Sequence, residues 1–185
     1  MAGGKFPKDI QLLFNRLYKN KIIPNVKPGS RGMKLGYPVM FVYDAKWKSK
    51  LAYWDALPFS IILAKYPDGF LGLNLHYVQW TTRIQLANKL VRAAKNGKRI
   101  KYVDIKKAFH ELKIPEGLLA LIIRRYLYSH VRSNIKIFDI ETYSEAVKDI
   151  RPDFQKKSEK YVLHAIRELW KIHQQKVRAT KQGTK

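Results

Sequence analysis

The apolar residues of the segment 37–77 follow the pattern of β-strands. β-Branched and aromatic residues, the types enriched in strands, form short runs separated by polar residues and turn formers. Pro67-Asp68-Gly69 predicts a turn between the last two runs, and the polar segment 44–50 predicts a hairpin connection between the first two. The pattern therefore predicts an antiparallel sheet of three or four strands. The runs cover 37–43, 51–54, 58–65 and 70–77.

From Gln79 onward the apolar residues recur with the helical period. The first predicted helix ends at Asn96-Gly97, and Arg83 is expected to project away from its apolar stripe together with Lys89, Arg92 and Lys95. Residues 135–140 alternate as one short additional strand. Three further helices are predicted over 103–112, 116–131 and 157–177.

These elements predict an α+β fold in which a small antiparallel sheet, about residues 37–77, precedes a mainly helical part. The chain of 185 residues has the length of one domain. We therefore expect a single domain over 1–185, with a basic N-terminal arm over about 1–34 and a basic, frayed C-terminal tail over about 178–185.

The charge of the chain changes this picture, because it is both large and regional. The formal net charge is +23, from 37 Lys and Arg against 14 Asp and Glu. Positive charge concentrates in 1–36, 78–132 and 156–185, whereas 37–77 and 133–155 are nearly neutral. A chain this basic is expected to bind a polyanion, with nucleic acid as the first candidate.

Several classes of function receive no support. The chain has no Cys, so thiolate metal sites and thiol nucleophiles are excluded. No apolar stretch resembles a signal peptide or approaches the roughly 18 residues of a membrane span. We therefore expect no membrane partner and no small-molecule substrate.

The strongest catalytic candidate is Asp139 with Glu141, because a strand ending in Asp-x-Glu is how proofreading-type exonucleases begin a two-metal site. Further carboxylates on later strands would be needed to hold both ions. A strand followed by helix-capping acids is the favoured interpretation.

The other catalytic signals are weaker. The five His residues stand singly, without metal-ligand spacing, and no Gly-rich segment matches a phosphate loop. Asn74 and His76 are expected to share one face of a strand and to hydrogen-bond a loop. We predict no enzyme, no metal and no cofactor.

Basic and aromatic residues remain as the candidate binding surface for nucleic acid. The predicted hairpin tip combines phosphate contacts with a Trp that could stack or wedge at a strand end. The alternative is a solvated tip with Trp47 folded back. The dense run of cations around 92–107 suits phosphate binding. The predicted nucleic-acid-binding residues are Lys46, Trp47, Lys48, Lys50, Arg92, Lys95, Lys98, Arg99, Lys101, Lys106, Lys107 and Arg124.

Four segments resemble a family of small virion-associated proteins encoded by T4-like tailed bacteriophages. They are Phe41-Val42-Tyr43-Asp44-Ala45-Lys46, the segment from Leu51 to Pro58, the segment from Tyr66 to Tyr77, and the second signature from Arg124 to Ser133. Together they cover about half the chain in the order of the family. The resemblance implies DNA end protection, in which the termini of the packaged genome are bound and shielded from host exonuclease. It carries over no catalytic residue.

The sequence therefore favours a virion structural protein, made in the host cytoplasm, that binds double-stranded DNA without sequence specificity. The genome ends are one expected target. The alternative is an assembly protein of the phage neck, tail or baseplate. Its basic surface would dock on acidic virion subunits, such as portal, neck, tail or baseplate proteins, and it would have no DNA function of its own.

Overall fold

The computed structural model describes residues 8, 11–12, 25–95, 102–112 and 122–182. Within them, six strands form one antiparallel sheet in the order β1-β7-β2-β4-β5-β6. The α+β class predicted from the sequence is confirmed. The strands are β1 (Asn25–Val26), β2 (Pro38–Met40), β4 (Phe59–Tyr66), β5 (Gly69–Asn74), β6 (Ile123–Leu127) and β7 (Ile135–Ile137).

The β4–β5 hairpin is the centre of the sheet and agrees with the sequence prediction. Pro67 and Asp68 form its turn, and Tyr66 pairs with Gly69 across it. The predicted strand over 70–77 is too long, because β5 ends at Asn74. Leu75–Tyr77 then form a 3₁₀ turn. The Asn74 side chain accepts a hydrogen bond from the His76 backbone N–H and so fixes this turn.

The edge strand β6 corrects the predicted helix over 116–131. Residues 113–121 lie outside the described part, but Ile123–Leu127 pair antiparallel with β5 from Leu73 to Gly69. Tyr128–His130 then form a 3₁₀ turn. The apolar spacing here fits a helix and a strand equally well, and pairing with β5 decides between them.

The hairpin predicted over 37–54 is also wrong. β2 pairs with β4 and β7, whereas β3 (Trp54–Asp55) pairs with β8 (Phe154–Gln155) in a separate two-stranded ribbon. The buried Asp55 carboxylate accepts a hydrogen bond from the Asp153 backbone N–H, and the Ala56 N–H donates to the Asp153 carbonyl oxygen, so this segment is joined to the residues before β8 rather than to β2.

The described helices are α1 (Trp80–Lys95), α2 (Tyr102–Glu111), α3 (Ile140–Asp149) and α4 (Glu159–Gln182). α1, α2 and α4 match predicted helices, although the predicted cap Asn96-Gly97 lies outside the described residues. α3 begins where the capping acids predict a helix, although the apolar pattern does not predict its bounds, and the predicted strand over 135–140 ends at Ile137 instead. None of the described helices is long and apolar enough to cross a membrane.

Apolar side chains cover both faces of the sheet. One cluster joins Phe59, Ile61 and Leu73 to helix residues such as Leu86 and Tyr143. The second cluster, on the other face, contains Phe41, Phe70 and Tyr126 and is closed by partly buried side chains of the flanking loops. The helices therefore occupy one side of the sheet, and loops occupy the other.

Candidate nucleic-acid interface

An open cleft of about 390 Å³ is lined by three parts of the chain: the segment 43–55, the end of β5 with its 3₁₀ turn, and β6. We call it the aromatic cleft. Three basic residues, Lys46, Arg124 and Arg125, also border it. Its volume falls in the range of small-ligand sites. The aromatic side chains that line it are Tyr43, Trp47, Tyr53, Trp54, Tyr77 and Tyr126.

Trp47 forms one wall of the aromatic cleft and is held by a compact turn. The backbone N–H groups of Lys50 and Leu51 donate to the Trp47 carbonyl oxygen at 2.9 and 3.0 Å. The indole remains 57% exposed, and the ammonium groups of Lys46 and Lys50 lie 5.3 and 5.2 Å from its centroid. An exposed indole flanked by two cations is suited to stacking on a base while the cations contact phosphates.

The opposite wall comes from β6, where neighbouring arginines have different environments. The Arg124 guanidinium lies 5.1 Å from the Tyr77 ring centroid, and Tyr77 in turn stacks on Tyr53. Arg125 points to the other face of the strand, where it lies 3.8 Å from the Tyr66 ring centroid and pairs with Asp68. Arg124 forms no ion pair with a described residue, so its charge is available to a ligand.

The floor of the aromatic cleft contains a buried carboxylate, Asp55, that is fully engaged in hydrogen bonds. Its Oδ2 accepts from Asn74 Nδ2 at 2.9 Å and contacts His76 Nδ1 at 2.7 Å. Its Oδ1 accepts from the backbone N–H groups of Leu57 and Asp153 at 3.1 and 3.2 Å. Asp55 thus joins β3, the end of β5 and the segment before β8. The predicted structural use of Asn74 and His76 agrees with these contacts, but the predicted shared strand face is wrong, because His76 lies in the 3₁₀ turn after β5.

These contacts also determine the ionisation of Asp55 and Tyr77 at the floor of the aromatic cleft. Burial alone would raise the pKa of Asp55, but the interaction with His76 and the hydrogen bonds from Asn74 and Leu57 lower it below its ordinary value of 3.8. Burial raises the pKa of Tyr77, and the Asp55 charge raises it further. The floor therefore holds an ionised carboxylate beneath a neutral phenol at neutral pH.

Only part of the predicted binding surface meets at the aromatic cleft. Lys46, Trp47 and Arg124 line it. Lys48 and Lys50 do not line it: Lys48 pairs with Asp44 at 3.0 Å, and the Lys50 ammonium lies 5.2 Å from the Trp47 ring centroid.

The described residues of the predicted helical patch do not line the cleft. Lys106 and Lys107 are exposed on α2 and do not line the cleft. Arg92 and Lys95 belong to α1. The remaining predicted residues, Lys98, Arg99 and Lys101, lie outside the described residues.

Sequence reasoning missed the aromatic residues around the buried Asp55 and the lysine that holds the turn at Trp47. Tyr53, Trp54 and Tyr77 are in the nearly neutral part of the chain, where their aromatic character indicated a core rather than a binding surface. Lys156 Nζ donates to the Leu51 carbonyl oxygen at 2.9 Å and to that of Ser49 at 3.3 Å. The useful signal was the density of Tyr and Trp beside the Lys46–Lys50 run, not charge alone.

The Asp139–Glu141 motif starts a helix. Asp139 is the N-cap of α3, and its Oδ1 accepts from the backbone N–H of Thr142 at 2.7 Å. Within the described part of the chain, no group of three or more His, Asp or Glu side chains is placed to hold a metal ion. The interpretation of Asp139 as a helix-capping acid is confirmed.

Comparison with protein families gives one match over most of the chain. Residues 16–172 match the family model described as the phage T4 terminal DNA protecting protein. Comparison with curated proteins and comparison with solved structures each returned no match.

Proposed function

The chain belongs to the family of the phage T4 terminal DNA protecting protein, and from that premise we propose that it binds the ends of double-stranded phage DNA without sequence specificity. The observation that carries this proposal is the convergence of Trp47, Arg124 and Lys46 on the aromatic cleft. The aromatic rings can stack on the base of a terminal nucleotide, and the cations can contact its phosphate.

The cleft favours a DNA end over the interior of a duplex because of base stacking. Inside a duplex, both faces of each base pair are covered by neighbouring pairs. At a terminus one face is open, and a frayed terminal base exposes both. Stacking on aromatic side chains is tolerant of sequence, since every base has a π-face. A stacked terminal base would be shielded from enzymes that attack DNA from its end.

The affinity of the proposed complex comes chiefly from phosphate neutralisation. A net charge of +23 attracts duplex DNA from any direction, and each phosphate contact releases counterions. The exposed lysines Lys106 and Lys107 on α2 would add such contacts away from the cleft. In this proposal general charge supplies attraction and the aromatic cleft supplies the preference for ends.

We place the protein in the virion, where genome ends are held. The outer face of α4 supports contact with a protein neighbour, because Tyr161, Leu169 and Ile172 are 50%, 41% and 49% exposed along that helix. Docking on acidic virion subunits is therefore the second candidate function. It predicts virion incorporation that survives loss of the aromatic cleft.

The test compares linear duplex DNA with covalently closed relaxed circles of the same length, with affinity measured across a salt titration. We expect a preference for linear DNA that persists at physiological salt. Trp47→Ala and Arg124→Gln should remove it, with Trp47→Ala costing about 1–3 kcal/mol of end affinity. Equal binding to both forms by the unmodified protein would contradict the proposal.

The matched control is the double variant Lys27→Gln/Arg31→Gln, which removes two exposed charges from the loop after β1. Neither residue lines the aromatic cleft. The control should lower affinity for both DNA forms and retain the preference for linear DNA. The same proteins, mixed with linear duplex and challenged with a double-strand exonuclease, should protect the DNA in proportion to their end preference.

A further inference from the structure

A second arginine site lies at the start of α1. Arg83 is only 4% exposed, although the apolar pattern of α1 predicts that it projects away from the core. Its Nη2 lies 3.3 Å from the Val78 carbonyl oxygen and 3.5 Å from that of His76. Its Nε is buried and has no hydrogen-bond partner among the described residues. This guanidinium is therefore a buried cation whose lost hydration is replaced by only two long hydrogen bonds to described residues.

The charged groups described around Arg83 form no ion pair with its guanidinium. Burial lowers its pKa to about 10, so the group remains cationic at neutral pH. Nearby Arg151 lowers the pKa further, whereas Tyr143, Asp55 and Glu159 raise it. The Asp55 oxygens already take part in four contacts elsewhere, and Glu159 forms no ion pair with a described residue. A buried charge without a paired partner costs several kcal/mol.

Arg83 lines a cavity of about 180 Å³ that we call the Arg83 cavity. Arg151 and Arg167, both exposed, line it as well, with Glu159 as the one acid of the lining. Three guanidinium groups against one carboxylate leave an excess of positive charge. The half-exposed Trp80 and the apolar Leu163 form the rest of its wall.

The backbone adds donors to the same cavity. Gln79, Trp80 and Thr81 line it. Trp80 and Thr81 begin α1, a helix of 16 residues with no acidic side chain in its first turn, and Gln79 directly precedes it. The Gln79 carbonyl oxygen accepts the Arg83 N–H at 2.7 Å and so begins the helical ladder. The N–H groups of the first helical residues have no acceptor within the helix and favour an anion.

We propose that the Arg83 cavity binds a single phosphate group, with Arg83 at the floor, Arg151 and Arg167 at the rim, and the first turn of α1 as the backbone donor. Arginine suits this role because its planar group of donors matches phosphate oxygens. The phosphate is either the terminal phosphate of a DNA strand or free phosphate. The first source rests on the proposed function, whereas the site itself does not.

Inorganic phosphate tests the site directly by its effect on thermal unfolding, at ionic strength held constant with chloride. At about 100-fold excess over its Kd, we expect phosphate to raise Tm by about 5 °C or more. Arg151→Gln/Arg167→Gln should lose this rise, and the matched control Lys27→Gln/Arg31→Gln should keep it. Equal responses in all three proteins, or no response beyond chloride, would overturn the proposal.

A variant of the buried residue provides an independent measurement. Arg83→Met replaces the buried cation by an apolar side chain of similar length, an exchange that is often neutral for stability. Its phosphate response should vanish while its Tm in chloride stays close to that of the unmodified protein. If Arg83→Met does not fold, Arg151→Gln/Arg167→Gln decides alone, because both rim residues are exposed.

The source of the phosphate is decided with linear duplexes that carry 5′-phosphate or 5′-hydroxyl ends. A preference for phosphorylated ends that Arg151→Gln/Arg167→Gln removes and Trp47→Ala retains identifies the DNA terminus as the ligand. Equal affinity for the two duplexes, together with a retained response to inorganic phosphate, identifies free phosphate. Failure of the proposed function is separate, since it appears as equal binding to linear and circular DNA.

Discussion

The aromatic cleft and the Arg83 cavity both combine arginine with aromatic residues, but the cations are held in opposite ways. In the cleft, the Arg124 guanidinium lies over the Tyr77 ring at the wall of an open space. In the cavity, Arg83 is buried, and its guanidinium hydrogen-bonds to two backbone carbonyl oxygens. The first arrangement suits a flat ring with a nearby charge. The second suits a small, compact anion.

The difference shows what burial does to the same side chain. An exposed arginine on a ring face gains roughly a kcal/mol and can move toward a ligand. A buried arginine is already desolvated, so an arriving anion removes a cost rather than adding one. Asp55 joins the two regions: it forms part of the cleft floor, and its charge raises the pKa of Arg83. Changes at Asp55 should therefore reach both.

The largest expected effect is that of Asp55→Asn, which should damage the aromatic cleft and the Arg83 cavity together. The change leaves buried donors from Asn74, Leu57 and Asp153 with one amide oxygen in place of two carboxylate oxygens. We expect a loss of about 3–5 kcal/mol in the free energy of unfolding, measured by urea titration. The control Asp44→Asn removes a partly exposed acid paired with Lys48 and Arg132, and it should cost under about 1 kcal/mol.

The pH dependence of stability tests how much of the stabilisation by Asp55 comes from its negative charge. The pKa of Asp55 is lower in the folded protein than its ordinary value of 3.8. The stabilisation from its carboxylate is therefore complete above about pH 4 and is lost as pH falls through the folded pKa. Asp55→Asn should flatten the acid side of the stability curve. An unchanged slope below pH 4 would show that other groups control acid unfolding.

The next effect is smaller and should damage only the aromatic cleft. A Cβ on Gly69 would collide with the Tyr126 carbonyl oxygen of β6, so Gly69→Ala must push the strand that carries Arg124 away from β5. We expect a loss of about 1–3 kcal/mol in stability and a weaker preference for DNA ends. The phosphate response of the Arg83 cavity should remain.

The control for this change is Gly32→Ala. There a Cβ would lie 2.7 Å from Val26 Cγ1, a side-chain atom that can shift, so the cost should be lower. Comparable loss in both variants, or loss of the phosphate response in Gly69→Ala, would show that the two regions are not independent.

The sequence predicts the hairpin and the longest helices because local signals there agree with the final packing. Turn residues and strand formers identify β4 and β5, and helical periodicity identifies α1 and α4. The prediction fails at Ile123–Leu127, where an apolar pattern compatible with a helix becomes a strand on β5. It also fails at Trp54–Asp55, whose partner β8 lies about a hundred residues away. Non-local pairing has no local sequence signal.

The sequence predicts exposure where exposure follows from local context. The Lys46–Lys50 run is exposed around Trp47, as its composition indicates. The burial of Arg83 could not be predicted from the sequence, since a basic residue beside an apolar stripe usually faces solvent. Its burial depends on tertiary packing: α1 packs against α3, and residues of α4 line the same cavity as Arg83.

A fourth prediction concerns the overall positive charge and should leave the aromatic cleft and the Arg83 cavity intact. Lys106→Glu/Lys107→Glu reverses two exposed charges on α2, away from the cleft lining. If both side chains contact phosphates, the slope of log affinity against log salt should fall by about two, equally for linear and circular DNA. Affinity that is unchanged at every salt concentration would remove α2 from the DNA-binding surface.

The smallest expected effect compares Arg124 with Arg125, adjacent residues on opposite faces of one strand. Arg124→Gln removes a cleft cation without an ion pair, so it should lower the salt slope by about one and reduce the preference for linear DNA. Arg125→Gln removes a cation already paired with Asp68 and stacked on Tyr66, so its effect on DNA binding should be below about threefold. Fluorescence anisotropy with linear and circular duplexes measures both. If Arg125→Gln proves the more damaging change, the DNA end lies on the Tyr66 face of β6 and the aromatic cleft is not its binding site.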